Sequence, residues 1–168
     1  MNLSRMKTAI AGLAILGALV ATVPVATAAS AHTSAVTRMT VNQAKPTLFT
    51  YDNLPGEIPG KKTYFAAPLT KPSGEAFGVL TGNISTVAPV AGNPAEARLR
   101  KLIFTLPGGQ IIAEGNSLYP RGEVEISPNT TIVIAVIGGT GAYIGAQGQV
   151  ATSRNPDGTY THKFTLLK

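Results

Sequence analysis

From Thr47 to the C-terminus, clusters of Gly, Pro, Asn and Asp break the chain at short intervals, and the stretches between them are rich in β-branched and aromatic residues. No stretch there keeps an apolar period of 3.6 residues over three turns, so long amphipathic helices are excluded. Short strands at close spacing predict a sandwich or a barrel. The strands are expected at 47–52, 62–69, 75–87, 97–106, 110–116, 131–137, 146–152 and 159–167. Turn signals such as Asn53-Leu54-Pro55-Gly56, Lys71-Pro72-Ser73-Gly74, Pro107-Gly108-Gly109 and Asn155-Pro156-Asp157-Gly158 separate them. Residues 117–129 make a longer connection through Pro120-Arg121-Gly122. Gly78 and Gly82 share one face of the third strand, where a strand bends or another backbone comes close.

The stretch 131–137 sets Ile132, Ile134 and Val136 on one side and Val133, Ala135 and Ile137 on the other. A strand wetted on one side alternates apolar with polar residues. Apolar residues on both sides fit a barrel with a filled or ligand-binding interior, its outside covered by another element or another subunit. A two-layer sandwich is the structural competitor.

The N-terminus carries a different signal. Arg5 and Lys7 precede an uncharged apolar run from Ala9 to about Val23, and Ala26-Thr27-Ala28 is a small-x-small cleavage site. That is the pattern of a secretory signal peptide over residues 1–28, and it places the product outside the cell with no membrane span after cleavage. Residues 29–45, rich in Ala, Ser and Thr, read as a flexible tether, and 46–168 as the folded domain. Without Arg5 and Lys7 the chain has 12 basic residues against 8 acidic, a net charge of +4. The charges are scattered, not gathered in the dense stripe that nucleic acid requires. The chain has no cysteine, so its stability rests on a packed core and not on disulfides. Two histidines and no thiol give no transition-metal site, and no cofactor is expected.

The sharpest segment is Gly138-Gly139-Thr140-Gly141-Ala142-Tyr143-Ile144-Gly145-Ala146-Gln147-Gly148-Gln149-Val150. It lacks the Lys-Ser/Thr of a phosphate loop, and strand follows its glycines where a dinucleotide fingerprint needs a helix. Its glycines permit a sharp turn over which Tyr143 packs. The segment resembles the GG(T/S)G-x-(F/Y)-x-G signature of plant allene oxide cyclases and dirigent proteins. Glu75–Gly82, Phe104-Thr105-Leu106 before Gly108-Gly109-Gln110, and Asp157-Gly158-Thr159-Tyr160 resemble other parts of that family in the expected order. The resemblance covers roughly residues 47–168. It implies an all-β fold, an eight-stranded antiparallel barrel, usually trimeric, with an apolar cavity. It also implies a hydrophobic small-molecule partner held in one shape, either for ring closure or for stereo-directed coupling.

Tyr51-Asp52 resembles the His-Asp of dirigent first strands and the Tyr-Glu of the cyclases, which makes Asp52 the leading acid or base. The same Asp also suits a cap of the Asn53-Leu54-Pro55-Gly56 turn. Asn53 is the second catalytic candidate, since the cyclases use a nearby Asn, and Tyr51 a binding candidate. Arg98 and Arg100 share a strand face and suit a carboxylate-bearing ligand, although a solvated face is the simpler reading. Tyr143 and Gln147 complete the binding candidates. Gln147 stands where dirigent proteins usually carry Arg, and the cysteine of the cyclase environment is missing, so neither plant activity transfers intact. The expected function is a secreted barrel that binds a hydrophobic molecule and acts as a cofactor-free cyclase, isomerase or stereo-directing protein. The rivals are a non-catalytic lipid or phenolic carrier and a structural surface protein with a plugged barrel.

Overall fold

The computed structural model describes residues 35–51, 61–89 and 92–167. Nearly all of them are extended. The strands are β1 (Val36–Gln43), β2 (Thr47–Tyr51), β3 (Lys62–Thr70), β4 (Ala76–Pro89), β5 (Ala95–Leu106), β6 (Gly109–Pro120), β7 (Thr131–Gly139), β8 (Gln147–Arg154) and β9 (Tyr160–Leu167). All pairings are antiparallel, in the order β1-β9-β8-β7-β6-β5-β4-β3-β2, and β1 also pairs with β3. That last pairing closes eight strands into a barrel. The ninth, β2, lies along the same edge of β3 as β1 does: Thr47–Tyr51 pairs with Lys62–Ala66, and Asn42–Gln43 with Leu69–Thr70. Closure removes the free edges that an open sheet would expose.

The strand that completes the ring is the one the sequence conceals. Residues 36–43 are not tether; they pair with β9 along their whole length. Their inward positions are Thr37, Met39, Val41 and Gln43, with only two apolar residues, so alternation is too weak to announce a strand. The folded domain therefore begins about ten residues earlier than expected. The expected signal peptide, residues 1–28, and the rest of the expected tether up to residue 34 lie outside the described residues. Strand β6 also continues to Pro120, four residues beyond its expected end.

Alternate residues fill the lumen. Phe104 is its centre, with the Phe164 ring edge-on at 4.8 Å and the His162 ring at 5.0 Å. Leu80, Leu102, Ile111, Val150, Val41 and Leu69 surround them without solvent exposure beyond 1%. On β7, Ile132, Ile134 and Val136 point inward as expected, while Val133 and Ile137 remain about half exposed on the outer surface at 52% and 55%. Gly78 sits where a strand neighbour comes close: a Cβ there would lie 2.1 Å from the Thr105 carbonyl oxygen.

The glycine-rich segment is a backbone joint. It forms the end of β7, a single 3-10 turn at Gly141–Tyr143, and the approach to β8. The Thr140 amide donates to the Gln110 carbonyl and the Ala142 amide to that of Gly108, which ties this turn to the β5–β6 hairpin. A Cβ on Gly139 would lie 2.4 Å from the Tyr143 carbonyl oxygen, and one on Gly141, whose φ is +60°, 2.0 Å from that of Gly108. A Cβ on Gly138 would meet nothing within 4 Å. We expect Gly139→Ala and Gly141→Ala each to cost about 2–3 kcal/mol. Gly138→Ala should stay within about 0.5 kcal/mol. Urea unfolding of the three variants checks the ranking, and equal effects would contradict it.

Candidate functional site

Strand β5 builds the site. Glu96, Arg98, Arg100, Leu102, Phe104 and Leu106 have the same parity and all face inward. The inner wall of β5 is thus charged over its first half and apolar over its second. Neighbouring strands follow suit by register: Thr86 and Ser117 flank Arg98, Tyr119 flanks Glu96, and Ile84 and Gly115 flank Arg100. All of these inward side chains are buried.

Every guanidinium nitrogen of Arg98 has a partner. Its Nε donates to Glu96 Oε1 at 2.7 Å, and its Nη2 donates to the same oxygen. The guanidinium also donates to the Val124 carbonyl at 3.3 Å and to the Glu123 carbonyl, and lies 4.5 Å from the centre of the Tyr119 ring. Two residues of the β6–β7 connection are therefore fastened across this end of the barrel by one side chain. Arg154 does the same farther along, donating to the Ile126 carbonyl at 3.2 Å and to Glu125 Oε2 at 3.1 Å. The Tyr160 hydroxyl donates to the other Glu125 oxygen at 2.7 Å. Ile126, at 2% exposure, inserts into the core between these ties.

Deeper in the lumen, His162 is completely buried. One ring nitrogen lies 2.9 Å from Thr152 Oγ1 and the other 2.8 Å from Gln43 Oε1. Burial, with a smaller contribution from the Arg100 charge, pulls the imidazole pKa down to about 3, so the ring is neutral at physiological pH. Burial pushes the Tyr119 phenol up, against a smaller pull from Arg100 and Arg98. Burial raises Tyr160 well above the usual phenol range, and its hydrogen bond to Glu125 adds to this. Both phenols keep their protons in any ordinary buffer.

Two surface depressions open at this end. One, of about 290 Å³, runs between Pro94, Pro120 and Ser127 to Tyr119 and Ile126. The other, of about 380 Å³, is lined by Lys45, Glu125, Arg154 and Asp157. An apolar groove of about 370 Å³ lies at the opposite end, between Met39, Tyr143, Ile144 and Leu166.

Solved structures share this architecture. A pyocyanin demethylase is 23% identical, with a TM-score of 0.59 over 79% of this chain and 98% of its own. AbnU, an exo-specific intermolecular Diels-Alderase, is 18% identical, with a TM-score of 0.56 over 79% and 99%. The pterocarpan synthase dirigent protein GePTS1 is 14% identical, with a TM-score of 0.51 over 80% and 84%. The chain has their barrel fold. No protein-family model matches its sequence, and no curated protein does.

The sequence candidates separate on this frame. Arg98 and Arg100 lie inside the lumen, not on a solvated face. Tyr143 packs at the opposite end, its hydroxyl donating to the Pro107 carbonyl at 3.4 Å. Gln147 is exposed on the outer face of β8. Neither is brought near the arginines. Tyr51 ends β2 on the rung beside Thr50, which pairs with Thr63 and through it with Ile84 and Arg100. Asp52 and Asn53 lie outside the described residues. Sequence reasoning missed Glu96, Gln43, Thr152, Glu125 and Arg154 altogether, and counted His162 only as one of two histidines too few for a metal site. Parity was the available signal for two of them, since Glu96 is in phase with Leu102 and Phe104, and His162 with Phe164 and Leu166.

Proposed function

We propose that the protein is an exported barrel that binds a hydrophobic small molecule in the polar half of its lumen. There it steers a cofactor-free cyclisation, isomerisation or stereo-directed coupling. The observation that carries this reading is the row of buried polar groups on β5, β6, β8 and β9, set inside a barrel whose other half is filled with aliphatic and aromatic side chains. A fold needs no such cluster for stability, because apolar packing does the same work without desolvating charges. The barrel is also the one used by the Diels-Alderase AbnU and the dirigent protein GePTS1. Chemistry of that kind asks a protein to hold a reactive molecule in one shape and exclude water.

The apolar half is occupied by Phe104, Phe164 and their neighbours, which confines a ligand to the polar half. Protonated Tyr119 offers a hydrogen bond there without adding charge, while His162, its two nitrogens held by Thr152 and Gln43, is a neutral wall. Asp52 follows β2 directly and is the proposed acid or base, with Asn53 beside it. The half-exposed Val133 and Ile137 on the outer wall support association with further copies, a trimer by the resemblance. The signal-like N-terminus supports export.

Native mass spectrometry of protein purified from its own host tests the reading. A bound apolar compound, recovered together with an isomer or cyclised product, is the expected result, and Asp52→Ala should abolish conversion while binding persists. An unchanged single ligand would indicate a carrier. Protein that retains no small molecule and binds none saturably would overturn the proposal.

A further inference from the structure

The charges inside the lumen do not balance. Among the described residues, Glu96 is paired with Arg98 and Glu125 with Arg154. No carboxylate there pairs with Arg100. Its Nε and Nη1 are buried and make no hydrogen bond, and the residue is only 5% exposed. At the next inward position on the adjoining β6, level with Arg98, the Ser117 hydroxyl is also buried without a partner. His162, whose imidazole feels the Arg100 charge, is neutral and adds no negative charge.

Arginine makes this imbalance informative. A buried lysine or histidine escapes its desolvation cost by losing its proton, but a guanidinium stays charged. It also presents its donors as a planar fork that matches a carboxylate. A cation kept dry, with two donors unused, is a site short of an anion. Ile84 lies beside Arg100 on β4, and Leu102 is the next inward residue on β5, so whatever meets the guanidinium has apolar walls around it.

The geometry points to Arg100 as the recognition group for a carboxylate carried on an apolar molecule. This rests on the reading that the lumen binds a small molecule, and it names the class: an aryl or alkyl acid, not a neutral hydrocarbon or ester. Arg98, although its equal in sequence, is a fastening of the β6–β7 connection, with a partner at each of its three nitrogens.

Calorimetric titration of the whole protein with a panel of aryl and alkyl carboxylates, naphthoate and decanoate among them, each matched with its primary amide, tests the assignment. The expected result is that at least one acid binds about 10- to 100-fold tighter than its amide. Arg100→Met should erase that preference while leaving the amide's affinity within about twofold. Ligand-free Arg100→Met should melt no lower than the parent, since it loses a charge without a partner. Acid and amide binding equally would overturn the carboxylate assignment and leave the lumen reading standing. A large fall in the melting temperature of the ligand-free variant would show that Arg100 is paired within the chain, and would overturn it too. If neither acids nor amides saturate, the lumen reading falls with it.

Discussion

Lowering the pH from 7 to 4 is expected to weaken this fold by on the order of 3 kcal/mol through His162 alone, at about 1.4 kcal/mol per pH unit below the unfolded pKa. The ring is completely buried between Thr152, Gln43 and the edge of Phe104. Its pKa falls from 6.5 to about 3, because burial disfavours the imidazolium and the Arg100 guanidinium repels it. The folded state therefore refuses a proton that the unfolded state accepts. The stabilising contribution is complete above pH 6.5, shrinks as the pH falls, and is spent near pH 3. His162→Gln keeps hydrogen-bonding capacity but cannot titrate. Urea unfolding of parent and variant at pH 7 and pH 4 should show a much shallower pH dependence in the variant. In an NMR titration the parent imidazole should stay neutral to about pH 4. Parallel pH profiles, or an imidazole that titrates near 6.5, would contradict the buried neutral ring.

The second large effect concerns the charged pair on β5. Glu96→Gln leaves the Arg98 guanidinium buried without its counter-charge, and a broken buried pair costs about 3–5 kcal/mol. Arg98 also donates to the Glu123 and Val124 carbonyls, so the damage should spread into the β6–β7 connection. Amide hydrogen exchange in residues 121–130 should quicken more than in β8 or β9. Replacing both partners, as in Glu96→Gln with Arg98→Met, should recover much of the lost stability, because no bare charge remains inside. A Glu96→Gln protein within about 0.5 kcal/mol of the parent would mean that the pair is hydrated, as surface pairs are.

The barrel was legible in the sequence because its strands are bounded by Gly-Pro-Asn-Asp turns, and because β7 carries apolar residues in both phases. Strand β1 was hidden because two of its inward positions, Thr37 and Gln43, are polar. Gln43 is there to meet His162, a partner 119 residues away that no local pattern announces. The lumen charges were misassigned for a related reason. Placing the start of β5 at Ala97 cut off Glu96, and without Glu96 the two arginines looked like a solvated stripe. With it, the inward phase Glu96-Arg98-Arg100-Leu102-Phe104-Leu106 is unbroken, and charge at its start has to be read as interior. The ties from Arg98 and Arg154 to the β6–β7 connection depend on how a loop folds back over the barrel end, and periodicity carries no information about that.

Nuclear Overhauser contacts between the protein and a bound apolar acid would locate the ligand directly. Contacts from the acid to the methyls of Ile84, Ile132 and Leu102, lost in Arg100→Met, are the result expected for a ligand held inside the barrel beside the arginine. Contacts confined to Met39, Ile144 and Leu167 would put it in the groove at the far end, and the lumen would then be only a packed core.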